Sequence, residues 1–302
     1  MNSFSHKPVM VKEVLHWLNP KENGVYVDCT LGAGGHSKAL LEKAKGKIRV
    51  IGIDQDEQAL RVAKENLDVY EERISFVKGN FKDISLILNR YKIRDVDGIL
   101  YDLGISSLQL SNPERGFSFR YNSFLDMRID QGQELTAAKL INEGSCKELE
   151  DIFFKFGEER WARRIAEFIV KQRQAHPLET TKELVDVIRK AIPGEVRRKR
   201  KLHFATKVFQ ALRIAVNQEL NNLTISLKEA VEALGKKGRI CVISYHSLED
   251  RIVKKEFKQE EKEEKLTILT KKVIKPSREE IKVNFRARSA KLRVAERVGA
   301  FN

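Results

Sequence analysis

The sequence is poor in the features that mark secreted, membrane-embedded or metal-centred proteins. Cysteine is rare. Cys29, Cys146 and Cys241 are an odd number at wide spacings; they form neither a disulfide framework nor a CxxC metal site, and point to a reducing compartment. No run approaches the ~18 consecutive apolar residues of a membrane helix. The opening Met1–Pro8 lacks a basic-then-apolar signal pattern, so a cytoplasmic location is expected. The six histidines (His6, His16, His36, His176, His203 and His246) make no HExxH and no close ligand pair, so no metal is expected. Ser106 and Ser107 sit in no G-x-S-x-G elbow, which argues against a serine hydrolase. No internal repeat is visible.

Positive charge is what the chain has in excess. Its 302 residues hold 57 Lys+Arg against 43 Asp+Glu, a formal net charge of +14. A basic protein of this size suits nucleic acid, because lysine and arginine displace condensed phosphate counterions; a lysine-rich, thermophile-like surface is the alternative. The 41% apolar content is enough for a core and rules out disorder throughout. The length suggests about two domains at roughly 150 residues each.

Glycine is unevenly spread, with 12 of 17 in residues 1–150. Gly-rich turns after short apolar runs mark a βαβ nucleotide-binding region. Strands are predicted at Val25–Cys29, Arg49–Ile53, Ile74–Val77 and Asp97–Tyr101, with helices at Ser37–Ala44 and Glu57–Leu67 between them. This alternation implies a parallel sheet with right-handed crossovers. Ile105–Gln133 reads as a long irregular stretch, the kind that is functional or belongs to an insertion. From Leu135 the pattern is helical only. Trp161, Ile165, Phe168 and Ile169 recur at helical spacing, Thr180–Glu183 is a capping box, and another helix carries Val208, Leu212, Val216, Leu220, Leu223 and Leu227. Strands resume at Arg239–Tyr245, then at Leu266–Ile274 and Ser289–Val298 as an antiparallel pair, with Lys258–Lys265 as a solvated helix end or loop. The simplest architecture is one α/β domain interrupted after its fourth strand by an all-helical insert. Its expected limits are 1–109 with 205–302 for the α/β part and 110–204 for the insert.

The turn Asp28–Ser37 (DCTLGAGGHS) leads from strand one into helix one, where glycines allow close backbone approach to a ligand. Asp54 ends strand two, 22 residues after Gly32, where a carboxylate can accept from both hydroxyls of a ribose. This pattern also fits a dinucleotide. Three features favour S-adenosylmethionine over NAD. Asp28 can reach a charged amino-acid end and would repel a pyrophosphate; the third fingerprint position is Ser37; and Gly79-Asn80-Phe81 offers an aromatic face and amides to an adenine. A tight turn with no ligand is the plain alternative.

Asp102 ends strand four, outside which ligands of open α/β sheets sit. It can hold a cofactor amino group or polarise an acceptor amine; a turn aspartate is the alternative. Ser244–Asp250 ends strand five, and His246 there reads as a base, a stacking ring or a donor to RNA, or else as a structural histidine. Cys29 and Cys241 read as strand residues, so a cysteine-adduct mechanism has no nucleophile. Glu195–Arg213 contains Arg197, Arg198, Lys199, Arg200, Lys201, Lys207 and Arg213 against one acid, interrupted by His203 and Phe204. Basic residues interleaved with flat rings suit single-stranded RNA, and a solvated linker is the alternative. Asn284–Arg297 adds Arg286, Arg288, Lys291, Arg293 and Arg297.

With these residues in view, the chain resembles the bacterial ribosomal RNA small-subunit methyltransferase H family almost end to end, from His6-Lys7-Pro8-Val9 to Ala295-Glu296-Arg297. The specific segments are Thr30–Ser37, Asp102–Gln109, Glu114–Phe119, Leu125–Arg128, Gly157–Arg160 and Ser244–Arg251. The resemblance implies a class I S-adenosylmethionine-dependent methyltransferase: a Rossmann-like, mixed seven-stranded sheet with an inserted all-helical domain. It implies transfer of a methyl group to N4 of a cytosine in the decoding region of 16S rRNA, with the small ribosomal subunit as partner and no membrane. It implies cofactor contacts at Gly34, Gly35, His36, Asp54, Phe81, Asp102 and Gln109. The chain departs from the (D/N)-P-P-(Y/F) loop of many amino-methylating enzymes, having Asp102-Leu103-Gly104-Ile105 there. Asp102 and His246 are the candidate catalytic residues, and Arg197, Arg198, Arg200, Lys201 and His203 the candidate RNA contacts. The rival readings are an NAD-dependent oxidoreductase and a non-catalytic RNA-binding assembly factor that senses S-adenosylmethionine.

Overall fold

A computed structural model describes residues 7–44 and 47–299; His6, where the resemblance begins, lies outside them. Among the described residues no helix is long and apolar enough to cross a membrane. The chain divides into two compact units. One joins Met1–Gly104 to Leu220–Asn302, and the other is Ile105–Glu219.

The first unit is built on seven strands: β1 (Val25–Asp28), β2 (Arg49–Asp54), β3 (Ile74–Lys78), β4 (Val96–Asp102), β5 (Leu234–Ser244), β6 (Leu266–Ile268) and β7 (Lys291–Arg297). Their order is β3-β2-β1-β4-β5-β7-β6. β1 to β5 run parallel, while β7 pairs antiparallel with both β5 and β6. Alternation along the strands feeds two cores, because successive side chains leave opposite faces of a sheet. Ile99, Tyr101, Ile240 and Val242 meet Ile87, Leu227 and Val253 on one face. Leu100, Cys241 and Ile243 meet Leu18, Leu40 and Leu60 on the other. Between β1 and β4 the order of strands reverses, and ligands of open α/β sheets bind outside the strand ends at such a point.

β5 begins at Leu234, earlier than the predicted Arg239, because Leu234 pairs with Val96 ahead of a register shift. The predicted strand Leu266–Ile274 stops at Ile268 and returns as one bridge at Ile274. In between, the Thr270 hydroxyl accepts the Val294 N–H at 2.9 Å, in place of a backbone partner. The charged stretch from Lys258 is the end of helix Ser247–Lys262, and its Glu260 is buried.

The second unit is helical, with one core running from Phe117 through Phe153, Ile165 and Leu184 to Val216. Its limits correct the expected 110–204. Helix Thr206–Asn217 belongs here, because Val208, Phe209, Ala211, Leu212 and Val216 are buried in that core. The stretch from Ile105 is ordered by polar groups. Buried Arg115 donates to the carbonyls of Arg128 and Ile129, both at 2.9 Å. Asn217 accepts from Ile129 N and donates to the Met127 carbonyl.

Candidate cofactor and catalytic site

The turn after β1 is shaped by packing. Gly34 caps helix Gly35–Lys43 at φ +84°. A side chain there would strike Leu67, and one at Gly35 would press on Pro8, so both positions need glycine on steric grounds. Gly32 is different: at φ +53° it favours glycine on backbone grounds, and a side chain added there would meet only the Thr30 carbonyl, at 3.9 Å, which leaves room for a ligand beside the backbone. Asp28 is 1% exposed. Its carboxylate accepts the Ser37 hydroxyl at 2.7 Å and the Thr30 N–H at 3.2 Å. The expectation that it reaches a charged ligand end is therefore corrected: Asp28 holds the turn from inside.

Asp54, half-buried at the end of β2, accepts Gly32 N on one oxygen at 2.8 Å and Asp56 N on the other at 2.9 Å. Each carboxylate oxygen takes about two donors, so both keep capacity for a ribose hydroxyl. Burial pushes the carboxyl up to about 6, with neighbouring Asp56 and Asp28 adding to it and the two backbone bonds opposing it. Phe81 lies edge-on to Tyr101 at 5.7 Å. The Asn80 amide, expected to face an adenine, is engaged instead with Gln55 at 2.9 Å and with Lys82 N.

Asp102 ends β4 and is held from three sides. Its N–H donates to Thr30 Oγ1 at 2.6 Å. Its Oδ1 accepts the Tyr245 hydroxyl at 2.6 Å. Its Oδ2 lies 3.6 Å from His36 Nδ1. Burial raises its carboxyl, Asp28 and Glu249 add to the rise, and His36 and Tyr245 oppose it. The His36 ring is buried with Nε2 2.8 Å from the Val9 carbonyl. A carbonyl only accepts, so Nε2 carries a proton. The ring is thus held by Val9 with its other nitrogen 3.6 Å from Asp102, and what His36 offers a cofactor is its backbone at the helix N-terminus.

His246 caps helix Ser247–Lys262. Its Nδ1 accepts Glu249 N, its Nε2 lies 3.1 Å from Glu249 Oε1, and Glu249 Oε2 takes the N–H groups of Tyr245 and His246. The ring therefore caps the helix through Nδ1, while its buried Nε2, though near Glu249, makes no hydrogen bond among the described residues. Gln109 belongs to the helical unit, where it is buried and closes a capping box with Ser106. Cys29 and Cys241 are buried and free, and burial pushes both thiols up, consistent with inert strand residues.

The expected RNA contacts divide. Arg200 binds Glu159 with two bonds of 2.7 Å, and Glu159 is 1% exposed. Burial would raise the Glu159 carboxyl, but the Arg200 bonds outweigh it and hold it below its usual range. This corrects Arg200 from a phosphate contact to a structural partner. Half-buried Arg197 donates to the Ile192 carbonyl and lies over the Phe204 ring. His203 stacks on Phe119 at 4.5 Å and packs against Phe204, and desolvation lowers its ring pKa. Arg198, Lys199 and Lys201 are exposed. In the first unit Lys291 and Arg293 pair with Asp250 and Arg297 with Glu232. Arg288 lies over the exposed Phe285 ring.

Comparison with known proteins decides the family. Residues 3–298 match the description "MraW methylase family". The chain belongs to the MraW methylase family. It is 49% identical to "Ribosomal RNA small subunit methyltransferase H" of Halothermothrix orenii, over 97% of this chain and 98% of that protein. It is 51% identical to the protein of the same name from Pseudothermotoga lettingae, again over 97% and 98%. As a member of the MraW methylase family the chain is a class I methyltransferase, and S-adenosylmethionine is its cofactor. The residues at the strand ends fit that group: Gly32, where an added side chain would meet nothing nearer than the Thr30 carbonyl at 3.9 Å, two carboxylate oxygens with spare capacity on Asp54, and Asp102 at the switch point.

Tyr245 falls within the candidate segment Ser244–Asp250, but the sequence gives it no role there. The available signal was positional. It follows directly on β5, the strand beside β4, so it sits by the same edge as Asp102.

Proposed function

We propose that this protein transfers the methyl group of S-adenosylmethionine to the exocyclic N4 amine of a cytosine in the decoding region of 16S rRNA, on the small ribosomal subunit. The observation that carries the reading is the Asp102 carboxylate. It ends β4 at the switch point with one oxygen engaged by Tyr245 and the other at a 3.6 Å separation from His36. The names of the relatives, which act on small-subunit rRNA, support the substrate class. Membership of a methylase family removes the oxidoreductase reading.

Bound S-adenosylmethionine supplies an electrophilic sulfonium methyl. Asp54 would hold the ribose hydroxyls, and the backbone of Gly32 to His36 would line its bed with Phe81 nearby. A cytosine N4 amine is a poor nucleophile, because its lone pair is delocalised into the ring. Alignment with the methyl is therefore the larger part of the catalysis, and the base must first be unstacked. As the nitrogen gains the methyl it becomes positively charged and gives up one N–H proton, which Asp102 Oδ2 accepts. The electron pair of the broken bond stays on sulfur. The charged carboxylate also stabilises the developing positive charge. No covalent enzyme intermediate is needed.

Residues 110–204, or Ile105–Glu219 as the unit is observed, are proposed to recognise the RNA, with Arg198 and Lys201 as phosphate contacts and Lys199 beside them. Gln109 is proposed as a further cofactor contact. The test is mass mapping of nucleosides from small subunits incubated with and without the protein and its cofactor. The expected product is N4-methylcytidine at one decoding-region position. Binding of both ligands with no methylated nucleoside would instead favour a non-catalytic assembly factor.

A further inference from the structure

We infer that Tyr245 is the positioning residue for Asp102: its hydroxyl fixes the rotation of that carboxylate and leaves Oδ2 as the oxygen that takes the amine proton. The inference rests on the proposed role of Asp102 and adds the residue that makes the role possible. Three observations carry it. The hydrogen bond from Tyr245 to Oδ1 is 2.6 Å long, in the range of a charge-assisted bond. Among the described residues Oδ2 receives nothing as close, since His36 Nδ1 stands 3.6 Å away, beyond an ordinary hydrogen bond. The Tyr245 ring is itself held. The Tyr245 backbone N–H donates to buried Glu249 at 2.8 Å, and the ring lies against Gly104, where an added side chain would sit 3.5 Å from it. Gly104 has φ +95° and opens the loop that lacks the usual proline-aromatic grip.

The electrostatics give the inference a sign. Asp102 faces Tyr245 from the end of β5, His36 from helix Gly35–Lys43, Asp28 from β1 and Glu249 from helix Ser247–Lys262. Burial and the two acids favour the protonated carboxyl, while His36 and Tyr245 favour the charged one. A proton acceptor must be charged, so the Tyr245 hydroxyl favours the acceptor form of Asp102. Burial and the adjacent carboxylate in turn hold the phenol protonated, as a donor.

Tyr245→Phe keeps the ring and removes only the hydroxyl. Its expected effect is a fall of about tenfold or more in single-turnover rate at neutral pH, with cofactor Kd changed by less than about twofold. The acid limb of the rate profile should move up by about one pH unit, the equivalent of one lost hydrogen bond to a charge. A readout independent of turnover is the carbon-13 titration of aspartate carboxyls in the cofactor-free protein, with the Asp102 signal assigned by its loss in Asp102→Asn. Its midpoint should rise in Tyr245→Phe. An unmoved midpoint and an unmoved acid limb, in a background where Asp102→Asn is slow, would overturn the role of Tyr245 alone. Full single-turnover rate in Asp102→Asn would overturn the proposed role of Asp102, and the inference with it.

Discussion

The strand ends of the sheet unit and the interior of the helical unit use polar residues in opposite ways. In the sheet unit, Asp54 and Asp102 sit at strand ends, are half-buried, and are only partly satisfied by protein donors. In the helical unit, Arg115, Arg128, Glu159, Arg200 and Asn217 bond to backbone groups, to Asp126 or to each other within the unit. The first group keeps capacity for a ligand. The second holds an irregular stretch and a bundle together. Family-specific segments such as Glu114–Phe119, Leu125–Arg128 and Gly157–Arg160 therefore read as scaffold, while Thr30–Ser37 and Asp102 read as site.

The largest effect expected from this contrast is on stability. Arg200→Ala leaves Glu159 buried without its charged partner, which should cost about 3–5 kcal/mol, and replacing both by leucine should recover part of it. Of the two tryptophans, Trp161 lies in the helical unit and Trp17 in the other, so urea unfolding followed by Trp161 fluorescence in a Trp17→Phe background reads the loss directly. An unchanged midpoint would place Arg200 back among the candidate RNA contacts.

A smaller effect is expected on the cofactor. Asp54→Ala should weaken S-adenosylmethionine binding by about 1.5–3 kcal/mol, the worth of a charged acceptor, with RNA affinity little changed. The raised carboxyl, at about 6, adds a pH dependence. Below that pH the folded protein carries a proton on Asp54, so cofactor affinity should fall as the pH drops through it. Binding near pH 6 should release protons, seen by calorimetry in buffers of different ionisation enthalpy. The same linkage acts on folding. The native state binds more protons than the unfolded chain between roughly pH 4 and 6, so this one group lowers stability as the pH rises through that window. Asp54→Asn should abolish both dependences.

The smallest effect should be thermodynamically silent in the free protein. Arg198, Lys199 and Lys201 are exposed, so changing all three to serine should leave unfolding almost unmoved. The salt dependence of RNA binding should flatten by about one slope unit per lost phosphate contact. An identical slope would make the run a solvated surface.

Much of the sheet was legible because its signal is local. Alternation in RICVISY and the short Val- and Ile-rich runs located the strands, and glycine with Asp54 located the nucleotide end. What was illegible depended on partners far along the chain. Tyr245 meets Asp102 across 143 residues, and Arg200 meets Glu159 across 41. A basic run looks the same whether one of its members faces solvent or a buried acid. The unit to which helix Thr206–Asn217 belongs is not legible either, because its apolar stripe would pack equally well on a sheet or among helices. The inward role of Asp28 is not legible because burial of a carboxylate has no signature in sequence.

The central claim is that Asp102 takes part in the chemical step. The direct measurement is single-turnover methylation of isolated small subunits by Asp102→Asn, at S-adenosylmethionine concentrations shown to saturate the variant. Asparagine keeps the size and one acceptor oxygen but removes the charge. The predicted result is a rate about 10²-fold or more below the unmodified protein even at saturation, the range for a lost proton acceptor or charge stabiliser. A variant that recovers the full rate once saturated would contradict the claim and leave Asp102 as a cofactor ligand only.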